Sequence, residues 1–264
     1  MTKIQVVFEP MKFRFIFSVL SLLSVSLTAQ GTFSIVAVDP VTREVGAAGA
    51  TCSPLSAFQR TEADFLSRLH PGKGVIVSQA FYHEVNQQNA SKKMDEGMSP
   101  EQIIRWLKAN DVDQFPSARQ YGIVDFDAAN HPRSAAFTGE DVFIADGHRT
   151  GNHYVILGNS LLHEAVLDNM EDSFNGTQGS LADKLMAAIQ GANFAGADRR
   201  CSSKGVSSLF SFLVVARPDD TEENYYVDLG VASVPAGVDP INELQAQFDK
   251  WKASISGKQV HQDL

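Results

Sequence analysis

Cysteine is scarce: Cys52 and Cys201 are the two in 264 residues. Two thiols cannot build a disulfide-stapled mini-fold or a four-ligand zinc site. Basic charge is scarce as well, with 22 Lys and Arg against 31 Asp and Glu and no basic run. That balance excludes nucleic acid and anionic lipid surfaces as partners. No long apolar run follows Leu27, so no membrane-spanning helix is expected beyond that point. The chain also lacks internal repeats, low-complexity tracts and an interdomain linker. Histidine pairs at helical spacing are missing too: His83-Glu84 and His163-Glu164 each want a second His, and read as solvated residues on helix faces. Neither a metal nor a cofactor is expected.

What the chain has is an export signal and one domain's worth of ordinary globular composition, 44% hydrophobic and 20% charged. Lys12 and Arg14 precede Phe15–Leu27, a predominantly apolar stretch of thirteen residues, too short to span a bilayer and suited to a signal peptide. Residues 1–29 are therefore read as a signal peptide ending near Ala29, with Met11 as an alternative start, and 30–264 as a single domain. The exported protein belongs to the periplasm or the extracellular space. Losing Lys3, Lys12, Arg14 and Glu9 makes the formal charge of −9 more negative by two. After processing, no membrane partner is expected, and the sequence leaves the oligomeric state open. An oxidising compartment permits Cys52 and Cys201 to pair, worth about 4–5 kcal/mol as loop entropy. Two buried thiols, or one reactive cysteine, are the alternatives.

Thr32–Val38 reads as a strand buried on both faces, and Asp39-Pro40 turns it into a second strand, Val45–Thr51. Small residues from Gly46 to Ala50 leave room for close approach beside that second strand. Further strands are expected at 75–80, 121–126, 134–138, 154–157, 207–216 and 225–231. Helices are expected at 85–96, from Ser99-Pro100 onward, at 161–173, at 181–190, and from Asp239-Pro240 to the C-terminal region. Ser99 with Gln102 and Ser180 with Asp183 have capping spacing. Asp125 is read as a hairpin-turn residue, and Gly158-Asn159 as left-handed geometry before a helix. Arg119 and Gln120 read as a salt bridge or cap where a loop enters a strand. Asn89-Ala-Ser91 and Asn175-Gly-Thr177 match the glycosylation pattern. Hairpin-linked strands with grouped helices predict an α+β fold of sheets covered by helix layers, and a four-layer αββα sandwich fits.

An ordered series then carries a resemblance: Thr32-Phe33-Ser34-Ile35-Val36-Ala37, Asp39-Pro40, Arg119-Gln120-Tyr121-Gly122-Ile123, Thr138-Gly139, Gly158-Asn159 and Gly196-Ala197-Asp198-Arg199-Arg200. Over about Thr32 to Trp251 the chain resembles the family catalogued as domain of unknown function 1028, which is N-terminal-nucleophile (Ntn) hydrolase-like. It departs at Ala197, where the family has a second glycine. Cys201 and a longer Ser/Lys/Gly stretch stand where the family has Gly-x-Gln-Ser, and Ser78-Gln79 stands for the usual Thr-Gln. The resemblance implies the αββα sandwich with Thr32 in the nucleophile position.

A threonine hydroxyl needs a base to become a useful nucleophile, and an N-terminal threonine carries one in its α-amine. The expected reaction is acyl transfer to Thr32 Oγ followed by hydrolysis, on a small-molecule or peptide-like amide. This requires a cut between Gly31 and Thr32, since an acylated Thr32 has no basic amine. Donors for the oxyanion are sought in backbone N–H groups near Gly49 or Ser78-Gln79 and in the Asn159 side chain. Asp198 or Arg200 would orient the amine or bind a substrate carboxylate. The alternative is a non-catalytic binding or scaffold domain in which Thr32 merely begins a strand and Asp198 and Arg200 hold a loop.

Overall fold

The computed structural model describes residues 31–142 and 145–262, with side chains described through residue 256. The expected signal segment and Gln30 lie outside the described residues. Ten strands form two antiparallel sheets. The larger contains β1 (Thr32–Val38), β2 (Val45–Thr51), β7 (Gly147–Thr150), β8 (Tyr154–Asn159), β9 (Phe210–Ala216) and β10 (Val227–Val231), in the order β10-β9-β2-β1-β8-β7. The smaller contains β3 (Ser67–His70), β4 (Gly74–Ala80), β5 (Arg119–Phe126) and β6 (Pro132–Thr138), in that order. The helices are α1 (Glu84–Asp95), α2 (Pro100–Ala109), α3 (Ala165–Gly176), α4 (Leu181–Gly191) and α5 (Pro240–Gln262). The fold is therefore α+β. Among the described residues no helix is long and apolar enough to cross a membrane.

Three apolar clusters explain the sequence pattern. Phe33, Ile35 and Ala37 of β1 pack with Met170 and Phe174 of α3, Leu185 and Ile189 of α4, and Leu244 and Phe248 of α5. Val36 and Val38, on the opposite face of β1, join Val155 and Leu157 of β8 and Val75, Val77 and Val124 of the smaller sheet. Ile76 and Ile123 form a third cluster with Met94 of α1 and Ile103 and Leu107 of α2. Strand β1 is buried on both faces, which is why its apolar residues fail to alternate. Each fully buried Leu, Ile, Val or Phe contributes about 1.5–3 kcal/mol. Gly122 lets the sheets approach: a Cβ there would lie 2.9 Å from Leu157 Cδ1 and 3.0 Å from Val155 Cγ1.

Local chemistry sets the element ends. Both capping boxes form, Ser99 with Gln102 and Ser180 with Asp183. His83 is the N-cap of α1 and accepts from the Val85 N–H, while Glu84 pairs with Arg60, so these two are engaged rather than simply solvated. Helix α3 starts at Ala165, not 161, because Leu161 makes a β-bridge with Asp198. Strand β9 starts at Phe210, not 207, because the Asp239 carboxylate binds the Ser207 N–H and hydroxyl. Gly158 and Asn159 are strand residues, and the left-handed residue is Ser160, at φ 53°. Asp125 sits within β5 and pairs with Arg133 at 2.6 Å instead of turning a hairpin. The short strands β3 and β7, four residues each, carry too little pattern to be anticipated.

Cys52 and Cys201 are joined, with Cα atoms 5.7 Å apart. The bond fixes the residue after β2 to the 3-10 turn Arg199–Lys204. It is consistent with an oxidising compartment.

Candidate functional site

The site is built at the end of β1, where the two sheets face each other. Thr32 lies opposite Thr51 of β2 on one side and Asn159 of β8 on the other. Side chains alternate along a strand, so Thr32 shares the inter-sheet face with Ser34 and Val36. Ser34 Oγ donates to Gln79 Oε1 of β4 across the gap at 2.5 Å, and Gln79 Nε2 donates to Gln120 Oε1 at 2.7 Å. A longer contact, 3.4 Å, runs from Gln79 Nε2 to the Thr32 carbonyl. Asn159 Nδ2 donates to the same Gln120 oxygen at 3.1 Å. Gln120 Nε2 in turn lies 3.0 Å from Thr138 Oγ1 and from the carbonyls of Gly147 and Gly158. Thr138 Oγ1 stands 3.0 Å from His148 Nδ1, which carries the network to the surface. Burial lowers the His148 pKa below the ordinary imidazole value, and Arg149 adds to the effect.

The second half of the site surrounds Gly31. Its carbonyl oxygen accepts from Thr51 Oγ1 and from Arg200 Nη2, the latter at 2.6 Å. Arg200 is held by Asp198 through Nε at 3.0 Å and Nη2 at 2.6 Å, and its Nη1 donates to Ser53 Oγ at 2.9 Å. Asp198 is fully buried and also accepts from the Cys52 N–H at 2.8 Å. The disulfide thus locks the Asp198–Arg200 turn against the end of β2. Gly31 itself fits closely. A Cβ there would stand 2.6 Å from Ser160 Cβ and 3.0 Å from both Arg200 Nη2 and Asp198 Oδ2. A side chain in place of the glycine would have to displace Ser160 and press on the guanidinium and its carboxylate.

The structure therefore gathers Thr32, Gln79, Asn159, Asp198 and Arg200 at one end of the molecule. Ser78 is apart: it follows Val77 on β4 and carries its side chain on the face of Ile76, toward α1 and α2. Gly49 pairs with Ser34 and Phe212 on its two sides, so its backbone is committed to the ladder. Sequence reasoning missed Ser34, Thr51, Thr138 and His148, and gave Gln120 only a structural role. The alternation of Thr32, Ser34 and Val36, and a lone glutamine in each of two apolar strands, were signals that could have found them.

Next to this site is a second, closed ionic cluster. Arg119, 1% exposed, donates to Asp111 through Nε at 2.8 Å and Nη2 at 3.0 Å, to Asp113 at 2.7 Å, and to the Phe81 carbonyl. Burial would raise the Asp111 carboxyl, but the Arg119 hydrogen bonds and the Phe115 and Asp113 N–H groups overcome it and hold the pKa at about 2. Both glycosylation-pattern asparagines lie within helices, and Asn175 Nδ2 donates to the Tyr154 hydroxyl at 3.1 Å. Among the described residues no group of three or more His, Cys, Asp or Glu is arranged to hold a metal.

Two antiparallel sheets meeting at a buried polar end define an α+β protein whose polar centre lies between the sheets. The chain belongs to the family of unknown function DUF1028, whose family model matches residues 32–244. The crystal structure of protein SPO2555 from Silicibacter pomeroyi, of the same family, is similar with a TM-score of 0.66. Its sequence is 24% identical, over 83% of this chain and 88% of that one, a likeness that speaks for the fold alone. No curated protein matches.

Proposed function

We propose that this chain is an exported N-terminal-nucleophile amide hydrolase, with Thr32 as the nucleophile and a small amide or peptide-like compound as substrate. The grip on the Gly31 carbonyl carries the reading: the bond that must break before Thr32 can act has two side-chain donors on its carbonyl oxygen. The three apolar clusters support the four-layer αββα sandwich of such enzymes, with helices on the outer face of each sheet. The disulfide supports the export.

Attack of Thr32 Oγ on the Gly31 carbonyl carbon places negative charge on the oxygen that Arg200 and Thr51 hold. A preorganised donor at such a position is worth about 10²–10³ in rate. The C–N bond breaks as the acyl group passes to Oγ, and water hydrolyses the ester. An α-amine ordinarily titrates at about 7.7–8.0, so the freed one can act as the base for its own hydroxyl. The Gly31 carbonyl site then stands open beside it for the carbonyl of a substrate amide. Gln79, Gln120 and Asn159 hold β1, β4, β5 and β8 in register around it.

Intact mass and N-terminal sequencing of the exported protein test this. Thr32 is expected as the first residue, and Thr32→Ala is expected to keep its upstream residues. Fully native, active protein that begins at Gln30 overturns it. One observation favours the alternative of a binding or scaffold domain: with Gly31 in place, Thr32 is 1% exposed. A soluble, uncut native protein would decide for that alternative.

A further inference from the structure

On the far side of the smaller sheet, α1 crosses the end of β3. Ser91 and Asp95 are one helical turn apart on α1 and so share a face. Both reach the same imidazole. Ser91 Oγ lies 2.7 Å from His70 Nε2, and His70 Nδ1 lies 3.1 Å from Asp95 Oδ1, an oxygen that Lys73 Nζ also approaches at 3.1 Å. A helical serine ordinarily returns its hydroxyl to the carbonyl four residues back. Ser91 makes its contact with the histidine instead. Asp95 fixes the tautomer: Nδ1 carries the proton and donates, leaving Nε2 to accept from the hydroxyl. His70 is 8% exposed, and burial lowers its pKa, against the opposing pull of Asp95. Ser91 is half-buried and lines a surface cleft with Arg68, Gln88, Lys92, Asp95 and Glu222.

We infer that His70, Ser91 and Asp95 form a second acyl-transfer site, separate from Thr32, that hydrolyses small esters with good leaving groups and a carboxylate on the acyl side. Ser91 Oγ attacks the ester carbonyl carbon and its proton passes to His70 Nε2. The C–O bond to the leaving group breaks, and His70 returns the proton to the departing oxygen. Water then attacks the acyl-serine, giving one proton to His70. That proton goes back to Ser91 Oγ as the carboxylic acid leaves. The backbone N–H groups beside Ser91 belong to the helix ladder, so the oxyanion faces side-chain cations, Lys92 and Arg68, rather than fixed peptide donors. Such a site handles activated esters and leaves amides alone. The same two cations would hold an anionic acyl group in competition with Asp95 and Glu222, which line the same cleft.

The test uses a fluorophosphonate probe and the mono-p-nitrophenyl ester of a dicarboxylic acid, on the exported protein and on its Thr32→Ala variant. One phosphonyl adduct is expected on the peptide containing Ser91, in both proteins. It is absent in Ser91→Ala, and both labelling and ester turnover fall about a hundredfold in His70→Asn. Asp95 has a largely exposed side chain, so Asp95→Asn keeps the fold and carries the test if His70→Asn does not fold. A loss of about tenfold or more is expected there, from the lost tautomer. No adduct on Ser91, or equal rates in Asp95→Asn and the parent, overturns the inference. Either result leaves the Thr32 reading untouched, because the Thr32→Ala protein is scored separately.

Discussion

Two Asp–Arg pairs in this molecule use the same chemistry to different ends. Arg119 and Asp111 are each 1% exposed at the side chain, and of the guanidinium's acceptors only Asp113 reaches the surface. Arg200 is 30% exposed against a fully buried Asp198, and one of its acceptors is the carbonyl of Gly31, a residue proposed to leave. The first pair closes on itself, whereas the second is anchored at one end and reaches toward a bond at the other. A buried ion pair is weak evidence for net stability, yet losing one partner leaves an uncompensated charge. Substitutions should therefore destabilise at both pairs and separate them by their effect on the Gly31–Thr32 bond.

The largest effect is expected at Arg119. Arg119→Met leaves the Asp111 carboxylate buried with only backbone donors and Asn86, and should cost about 3–5 kcal/mol in urea unfolding. Arg200→Met likewise strands the fully buried Asp198, with the N–H groups of Cys52 and residue 200 as its remaining donors, so it should cost a similar amount. The pairs separate in the cutting of Gly31–Thr32, which the Arg119 variant should keep and the Arg200 variant should lose. Next is the disulfide, which holds the Arg200 turn and has no counterpart at Arg119. Cys52→Ser should lower stability by about 2–4 kcal/mol under oxidising conditions. In reductant it should match the parent, and unchanged melting in oxidant would show that the bond does not constrain the chain.

A smaller effect is expected from acid. The Asp111 pKa is depressed from the ordinary carboxylate value of 3.8 to about 2, so its stabilisation is full above about pH 4. It is lost as the pH falls through about 2, and amounts to about 2 kcal/mol. Unfolding monitored between pH 5 and 1.5 should show this loss in the parent. Asp111→Asn should lack that part of the slope, and retention of the full slope would assign the acid sensitivity elsewhere.

The contrast also explains what the sequence could disclose. Strand β1, the hairpin to β2, and both capping boxes were legible because they rest on neighbours in the chain: apolar runs, Asp-Pro, and Ser with Gln or Asp three residues on. The disulfide was one of three readings that compartment and count left open, and the structure selects it. The polar centre was only half legible. Thr32, Gln79, Asn159, Asp198 and Arg200 were singled out, but Thr51 and Gln120 reach their places through strand register, with Thr51 brought opposite Thr32 by the hairpin. Asp111 lies eight residues before Arg119, and nothing in the local pattern marks it as the partner of that guanidinium. The pairing of His70 with Ser91 and Asp95 depends on how α1 crosses β3, and adjacent residues do not encode that crossing angle.

The subtlest substitution tests the second pair most directly. Arg200→Lys keeps the positive charge beside Asp198 but replaces a planar fork with a single ammonium. One nitrogen cannot serve both Asp198 oxygens, Ser53 and the Gly31 carbonyl together. The ammonium should stay with the buried carboxylate, since abandoning it costs more than releasing a partly exposed carbonyl. Stability should then drop by only about 1 kcal/mol, while cutting of Gly31–Thr32, followed by intact mass, slows about a hundredfold. Cutting at the parental rate would mean that Arg200 only braces its loop, as Arg119 does, and the two pairs would differ in exposure alone.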